Sequence, residues 1–360
     1  MGSDTDRTHP TLAGKATSFL AVLAILVGCG SMALAVAPSD EEGSLGGAAG
    51  PGAMVLELFR AEESPDDGQA ARERLKRRVL SNGCAYTMRG IPRCGVLVGA
   101  AYGGNTDPTA WEQSMGHPLG VRRTYWDGEN ANVAVDTARD DLAHQRLPWL
   151  SFKLPYSWKQ MAEGRGDAWT RELAKGLATL DGPVWVAFHH EPEGDGDIRE
   201  WTAMQARLAP LVRETAPNVA YSIILTGWHQ LEGVEEYSLS SMWPDTKIDI
   251  AGFDVYNKFG MERNGVRVES FTDFERDYFT DFSRFAKQRG IAWGIAETGH
   301  TNRSALVEPN WTLRTYLSVL KYGGIAFTYF NSSLNSTAPW TLTGAKGEEF
   351  ARLLRTTPTL

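Results

Sequence analysis

The sequence predicts one parallel (β/α)8 barrel behind an export segment and a disordered tether, and three observations support it. Beyond Cys94, short apolar runs of strand length alternate with longer amphipathic stretches, eight times in succession. Strand followed by helix in steady repetition specifies a parallel sheet with covered faces. A closed barrel of this kind needs about 250 residues, which the 360-residue chain supplies with an N-terminal extension to spare. Second, the runs are continuously apolar, as strands buried on both faces are. Third, the turn after the first run, Gly99-Ala-Ala-Tyr-Gly-Gly104, lacks the glycine spacing of a phosphate-binding turn, which disfavours the doubly wound open sheet that is the alternative.

Residues 1–37 read as an export signal or membrane anchor, with Lys15 preceding a stretch free of charge from Ala16 to Ala37. Three outcomes stay open for it. Leu26-Val-Gly-Cys29 resembles a lipobox that would lipidate Cys29, Ala35-Val-Ala37 resembles a signal-peptidase site, and the stretch is long enough to span a bilayer uncleaved. Pro38 disfavours cleavage after Ala37, so lipidation at Cys29 is preferred. Residues 38–69, rich in Gly, Ala, Ser, Asp and Glu, offer too little apolar surface to fold and read as a flexible linker. Residues 70–94 read as a short helix over Ala70 to Leu80 with a solvated basic face, followed by a disulfide-closed lead-in to the barrel. Of the three cysteines Cys29 lies in the export segment, leaving Cys84 and Cys94 as the available pair. Two are too few for a zinc site, and in an exported protein a disulfide is expected over two free thiols.

Residues 95–360 form the barrel domain. The strand candidates are Val96 to Ala101, Val121 to Trp126, Pro148 to Phe152, Val184 to His189, Ala220 to Leu225, Ile248 to Val255, Ala292 to Ala296 and Gly324 to Phe330. Helical stretches between them include Val133 to Gln145, Ala168 to Leu180, Asp197 to Thr215, Phe274 to Gln288, Trp311 to Lys321 and Glu348 to Leu354.

Thirty-six Lys and Arg against 44 Asp and Glu give a net charge of −8, with no basic run, which argues against a nucleic-acid partner. A neutral or polar ligand fits better. The 12 Trp and 11 Tyr supply flat faces of the kind that stack on sugar rings, although barrel helices also use Trp as packing.

Two runs, Val184-Trp-Val-Ala-Phe-His-His-Glu-Pro-Glu193 and Ile291-Ala-Trp-Gly-Ile-Ala-Glu-Thr-Gly299, each present a glutamate where the apolar run ends. In a parallel barrel the carboxyl ends of the strands open onto the active-site face, so Glu191 and Glu297 would be rigidly held and still meet substrate. By strand count Glu191 follows the fourth and Glu297 the seventh. This arrangement resembles the clan A retaining glycoside hydrolases, over roughly residues 95 to 356 and most specifically at His190-Glu191 and Glu297-Thr298-Gly299. Most of the clan carries Asn before the acid/base; His190 there resembles glycoside hydrolase family 26, which contains endo-β-mannanases, β-glucanases and β-xylanases. The resemblance implies that Glu191 is the acid/base and Glu297 the nucleophile of a double displacement. His190 would hold Glu191, contact substrate or bias its protonation.

In Ile248-Asp-Ile-Ala-Gly-Phe-Asp-Val-Tyr-Asn257, Asp254 and Tyr256 share one strand face, and Tyr256 stands where the clan places a tyrosine that hydrogen-bonds the nucleophile. The competing reading is a core tyrosine and a strand aspartate paired with Arg122 or Arg123. Tyr102, Trp126, Trp228, Tyr329 and Trp340 lie near expected strand ends and are candidate sugar platforms, Trp228 and Trp340 preferred. The clan commonly carries Trp at the end of strand eight; Phe327-Thr-Tyr-Phe-Asn331 has none, so the role would pass to Tyr329 or Trp340. The chain also departs from the mannanases after the acid/base, where Pro192-Glu-Gly-Asp-Gly-Asp197 replaces an aromatic-rich segment, leaving mannan specificity unsupported.

The expectation is an exported, cell-surface, monomeric, retaining and endo-acting hydrolase of a β-linked polysaccharide or exopolysaccharide, needing no cofactor or metal and touching the membrane only through its N-terminal lipid or helix. Two rivals remain. One is a barrel that binds glycan without cutting it, which the presence of both glutamates disfavours. The other is a metal-dependent barrel enzyme using His189 and His190 with Glu191, Glu193 or Asp195, against which Glu193, Asp195 and Asp197 read as loop and helix-capping residues.

Overall fold

The computed structural model describes residue 69, residues 73–263 and 265–334, and residues 340–360. The expected export segment with Cys29, and the linker up to residue 68, lie outside the described residues. Among the described residues no helix is long and apolar enough to cross a membrane.

Eight parallel strands close into a barrel in chain order. They are β1 (Leu97–Tyr102), β2 (Val121–Asp127), β3 (Leu147–Lys153), β4 (Val184–Phe188), β5 (Val219–Leu225), β6 (Ile250–Asn257), β7 (Ala292–His300) and β8 (Ala326–Asn331), which pairs back onto β1. All eight expected strands form. The largest difference is in β7, which runs to His300 instead of stopping at Ala296, so Glu297 sits within a strand and not beyond one. In the opposite sense β4 ends at Phe188, because the chain turns at His189 with φ 49°.

The outer layer includes helices α1 (Thr109–Met115), α2 (Ala131–Ala143), α3 (Asp167–Ala178), α4 (Ile198–Thr215), α5 (Thr280–Arg289), α6 (Trp311–Lys321) and α7 (Gly344–Leu354). Each of α2 to α7 turns an apolar face to the strands, for example Leu173, Ala174 and Leu177 of α3. After β5 the connection uses only short helical segments, Trp228–Glu232, the 3-10 turn Glu235–Tyr237 and Leu239–Met242.

Side chains fill the barrel interior. Trp149 of β3 donates its indole N–H to the Ser222 hydroxyl at 2.9 Å and meets Trp185 edge-on at 5.1 Å. Its ring occupies the space a side chain on β6 would need: a Cβ on Gly252 would lie 2.9 Å from the indole and 2.7 Å from Ile224. On the outer face of β2, Arg122 donates to Asp141 at 2.9 Å, and Asp141 also accepts from Arg146, which forks onto Glu112 of α1. All four side chains are buried, so each charge depends on the others for the solvation it has lost.

The amino-terminal end of the barrel is plugged by residues 80–95. Leu80, Cys84 and Tyr86 join the core, Trp185 donates to the Arg89 carbonyl at 3.0 Å, and Gly90 with φ +73° lies so close that a Cβ would meet Pro183 and Leu147 at 2.7 and 2.8 Å. Cys84 and Cys94 form a disulfide across this plug, with Cα atoms 5.8 Å apart. It closes the end opposite to the strand carboxyl termini. The C-terminal residues seal the same end through Ser81 N–H to the Thr359 carbonyl and Leu360 N–H to the Gln145 carbonyl. Of the helix expected over Ala70 to Leu80, residues 73–77 are helical among those described, and Arg74 turns inward to donate to Gln145 at 2.7 Å.

Candidate active site

Strand alternation by itself would turn Glu297 away from the barrel interior. Gly252 and Gly294 are partners on the inner face, so Ala296 follows inward and Glu297 would point to the helices. A β-bulge prevents this. Phe253 pairs with Ile295 but Asp254 pairs with Glu297, and on the other side Phe327 pairs with Ile295 while Tyr329 pairs with Thr298. The extra residue of β7, between Ile295 and Glu297, returns Glu297 to the inner face beside Asp254, the re-aiming for which bulges recur near active sites.

Both carboxylate oxygens of Glu297 are then claimed. Tyr125 of β2 donates its hydroxyl to Oε1 and Tyr256 of β6 to Oε2, each at 2.6 Å. The fully buried Arg123 guanidinium stands 3.7 Å from Oε1 and beneath the Tyr125 ring at 4.7 Å. Burial, followed by the Glu297 charge, holds both phenols well above their ordinary range, so they remain donors. With a phenol donating to each, both oxygens act as acceptors, as they do in a carboxylate.

Glu191 lies three residues past β4 in a loop that reverses twice, with φ 49° at His189 and 48° at Glu191. Each left-handed residue without the freedom of glycine costs about 1–3 kcal/mol, so the surroundings must hold the loop. They do so through backbone groups. His189 N–H donates to the Phe152 carbonyl at 2.8 Å, Glu191 N–H to the Ile224 carbonyl at 3.0 Å, and from α4 Trp201 and Gln205 donate to the His189 and Phe188 carbonyls. Burial pushes the Glu191 carboxyl up to about 8, helped by the charges of Glu297 and Glu193 and opposed by Arg123 and Lys258. At neutral pH it carries its proton.

His190 is neutral, held well below the usual imidazole range by burial and then by Arg123, and its ring lies 5.5 Å from that of Tyr125. Asp254, 3% exposed, is pushed well up by burial and by the charges of Glu297 and Glu191; neither of its oxygens has a hydrogen-bond partner. Its surroundings thus favour the protonated form. Arg122 faces outward to Asp141, and of the two arginines considered for Asp254 only Arg123 shares its side of the barrel. His189 bonds Asp195 at 3.0 Å under the edge of Trp158, and Asp197 caps α4 by accepting from Arg199 N–H. Among the described residues no group of three or more His, Cys, Asp or Glu is disposed to hold a metal ion.

The aromatic candidates separate by strand face. Trp340 packs on Tyr256 with ring centres 4.8 Å apart and lies over Gly299, where a Cβ would meet it at 3.3 Å. Trp228 is 51% exposed just after β5. Tyr329, by contrast, is fully buried on the outer face against Phe350 of α7, and Tyr102 stacks at 4.9 Å on Trp111 on the same side. Tyr329 has no surface to offer a sugar, which corrects the expectation for it, while the half-buried Tyr102 is turned to the helices. The residue turned to the mouth from β8 is Phe330, 6.3 Å from Tyr125 and 6.4 Å from Tyr256. Trp126 is on the outer side of β2, partly exposed, bonded to Thr124 at 2.9 Å. The site thus gathers Glu191, Glu297, His190, Tyr256 and Trp340, and adds Arg123, Tyr125 and Phe330, which sequence reasoning did not assign to it. The spacing of Arg123 and Tyr125, two apart on one strand, was the available signal for the first two.

No protein-family model and no curated protein matches the chain. Solved structures do. An endo-β-1,4-mannanase double mutant from Cellulomonas fimi is 14% identical, with a TM-score of 0.52, 71% of this chain covered and 70% of that one. A GH26 β-mannanase from Bacteroides ovatus is 17% identical, with a TM-score of 0.51, covering 80% and 93% respectively. Cel5A from Thermotoga maritima, solved with mannotriose, is 12% identical with a TM-score of 0.52, covering 72% and 97%. What the chain has in common with these glycan-cleaving enzymes is the closed (β/α)8 barrel.

Proposed function

We propose that the chain is a retaining glycoside hydrolase acting on a β-linked polysaccharide. The observation that carries the reading is the contrast between two carboxyls at one barrel mouth. Glu297 is fixed as an acceptor by two phenols, and Glu191 is loaded with a proton at neutral pH. Such a divergence supports Glu191 as the acid and Glu297 as the nucleophile.

In the first step Glu191 gives its proton to the glycosidic oxygen as that bond breaks, and a Glu297 oxygen forms a bond to the anomeric carbon. The leaving sugar departs as an alcohol. In the second step Glu191, now ionised, takes a proton from water while the water oxygen attacks the anomeric carbon and releases Glu297. Arg123, Tyr125 and Tyr256 hold the Glu297 carboxylate in place for attack. Phe330 offers apolar surface at the mouth, Trp340 backs Tyr256 from a buried position, and Trp228 is an exposed platform further out.

The N-terminal reading completes the proposal: an exported barrel, monomeric, tethered to the cell surface through Cys29. A mature N-terminus still beginning at Met1 or Gly2 would replace the lipid by an uncleaved anchor. Digestion of a glycan panel with proton NMR of the first anomer released tests the activity. A β product from a β linkage is expected, and an α product would require inversion.

A further inference from the structure

We propose that Glu193 is a positioning residue for Glu191, stapling the acid's loop to β5 and setting a carboxylate near the acid. The proposal rests on the reading of Glu191 as the acid.

Glu193 does not cap a helix; Asp197 fills that place on α4. Its Oε1 instead accepts from the Thr226 backbone N–H at 3.1 Å and from the Gln230 side chain at 2.5 Å. Two residues earlier, Glu191 N–H donates to the Ile224 carbonyl. Residues 191 and 193 therefore run beside 224 and 226, the side chain of Glu193 replacing the backbone pairing that ends with β5. Pro192 between them is buried and has no N–H to contribute. Gln230 is anchored in turn, donating to the Tyr237 carbonyl at 3.2 Å. This staple counters the strain of the left-handed Glu191.

The charge is placed to act on the acid. Glu193 Oε2 is buried without a hydrogen-bond partner; burial pushes the Glu193 carboxyl up, while the Thr226 N–H, Gln230 and the His229 charge favour its ionised form. Glu297 from β7 pushes Glu191 the same way, while Arg123 from β2 and Lys258 just after β6 push against it. Asp254 from β6 also faces the pair, its carboxyl pushed well up by burial and by the Glu297 and Glu191 charges. Within the loop His190 is neutral, and His189 is occupied by Asp195. From β3, Lys153 acts on His190. Removing the Glu193 charge leaves burial and Glu297 to oppose Arg123 and Lys258, which lowers the pH at which Glu191 gives up its proton.

Two variants test both halves. Glu193→Gln keeps the acceptor for Thr226 and removes the charge. In protein carrying carbon-13 at glutamate carboxyls, with Glu191 assigned by its loss in Glu191→Gln, the Glu191 titration midpoint should fall by roughly one unit. Glu193→Ala also removes the staple. Its kcat/KM should fall at least about tenfold more on glycosides with unactivated leaving groups than on activated aryl glycosides, which need little protonation. An unchanged midpoint in Glu193→Gln, or equal losses on both leaving groups in Glu193→Ala, would overturn the proposal. Because the titration needs no turnover, a wild type that cleaves nothing would sink the hydrolase reading while the midpoint still decides the coupling.

Discussion

Removing one hydroxyl from Tyr125 or Tyr256 is the sharpest perturbation the site allows, because each phenol touches Glu297 through a single hydrogen bond of 2.6 Å. A hydrogen bond to a charged group is worth about 1.5–3 kcal/mol, and each 1.4 kcal/mol is a factor of ten. The two losses should differ in size. Oε1, the partner of Tyr125, also faces the Arg123 guanidinium at 3.7 Å, whereas Oε2 accepts its one assigned hydrogen bond from Tyr256. Tyr125→Phe should therefore cost about tenfold in kcat/KM and Tyr256→Phe about a hundredfold. Since both hold one carboxylate, the double variant should depart from the product of the two losses. The assay is kcat/KM on an activated aryl glycoside, which isolates attack by Glu297 from proton delivery by Glu191. Losses within about twofold for both variants would refute the reasoning, and a larger loss at Tyr125 would contradict the role given to Arg123.

Two further outcomes follow from other parts of the structure. The upper limb of kcat/KM against pH should fall through about 8, because the protonated form of Glu191 is the active one and burial with Glu297 and Glu193 raises its titration to that pH; a limb starting below about 6 would contradict this electrostatic account. Replacing Cys84 and Cys94 by Ser opens a loop with a sequence separation of 10 and should cost about 3 kcal/mol on the chain-entropy estimate, read as a lower Tm, with kcat and KM unchanged because the bridge lies at the other end of the barrel. A kinetic change as large as the stability change would show that the plug and the mouth are coupled.

The barrel was legible because parallel strands buried on both faces leave continuous apolar runs, so strand count and order could be read directly. The positions of Glu191 and Glu297 followed from that count. Which way each side chain points was less legible, since a one-residue shift exchanges the faces of a strand. Tyr329 and Phe330 illustrate this: the outward residue was expected at the mouth, and its neighbour is there. In Val121-Arg-Arg-Thr-Tyr-Trp126 the two arginines are chemically alike, and only the helix bearing Asp141 shows that Arg122 faces out and Arg123 in. The bulge in β7 left no mark in hydropathy, although the inward aim of Glu297 depends on it. Glu193 looked like a loop carboxylate because its partners, Thr226 and Gln230, come from the end of another strand.

The separate roles of the two glutamates are the central claim, and azide rescue of Glu191→Ala tests it most directly. On an activated aryl glycoside this variant should form the glycosyl-enzyme on Glu297 and stall there, since no base remains to activate water. Added azide needs no base and should restore turnover, releasing a β-glycosyl azide. Glu297→Ala should show no β-glycosyl azide under the same conditions. Wild-type turnover in Glu191→Ala without azide, or a β-glycosyl azide from Glu297→Ala, would contradict the assignment.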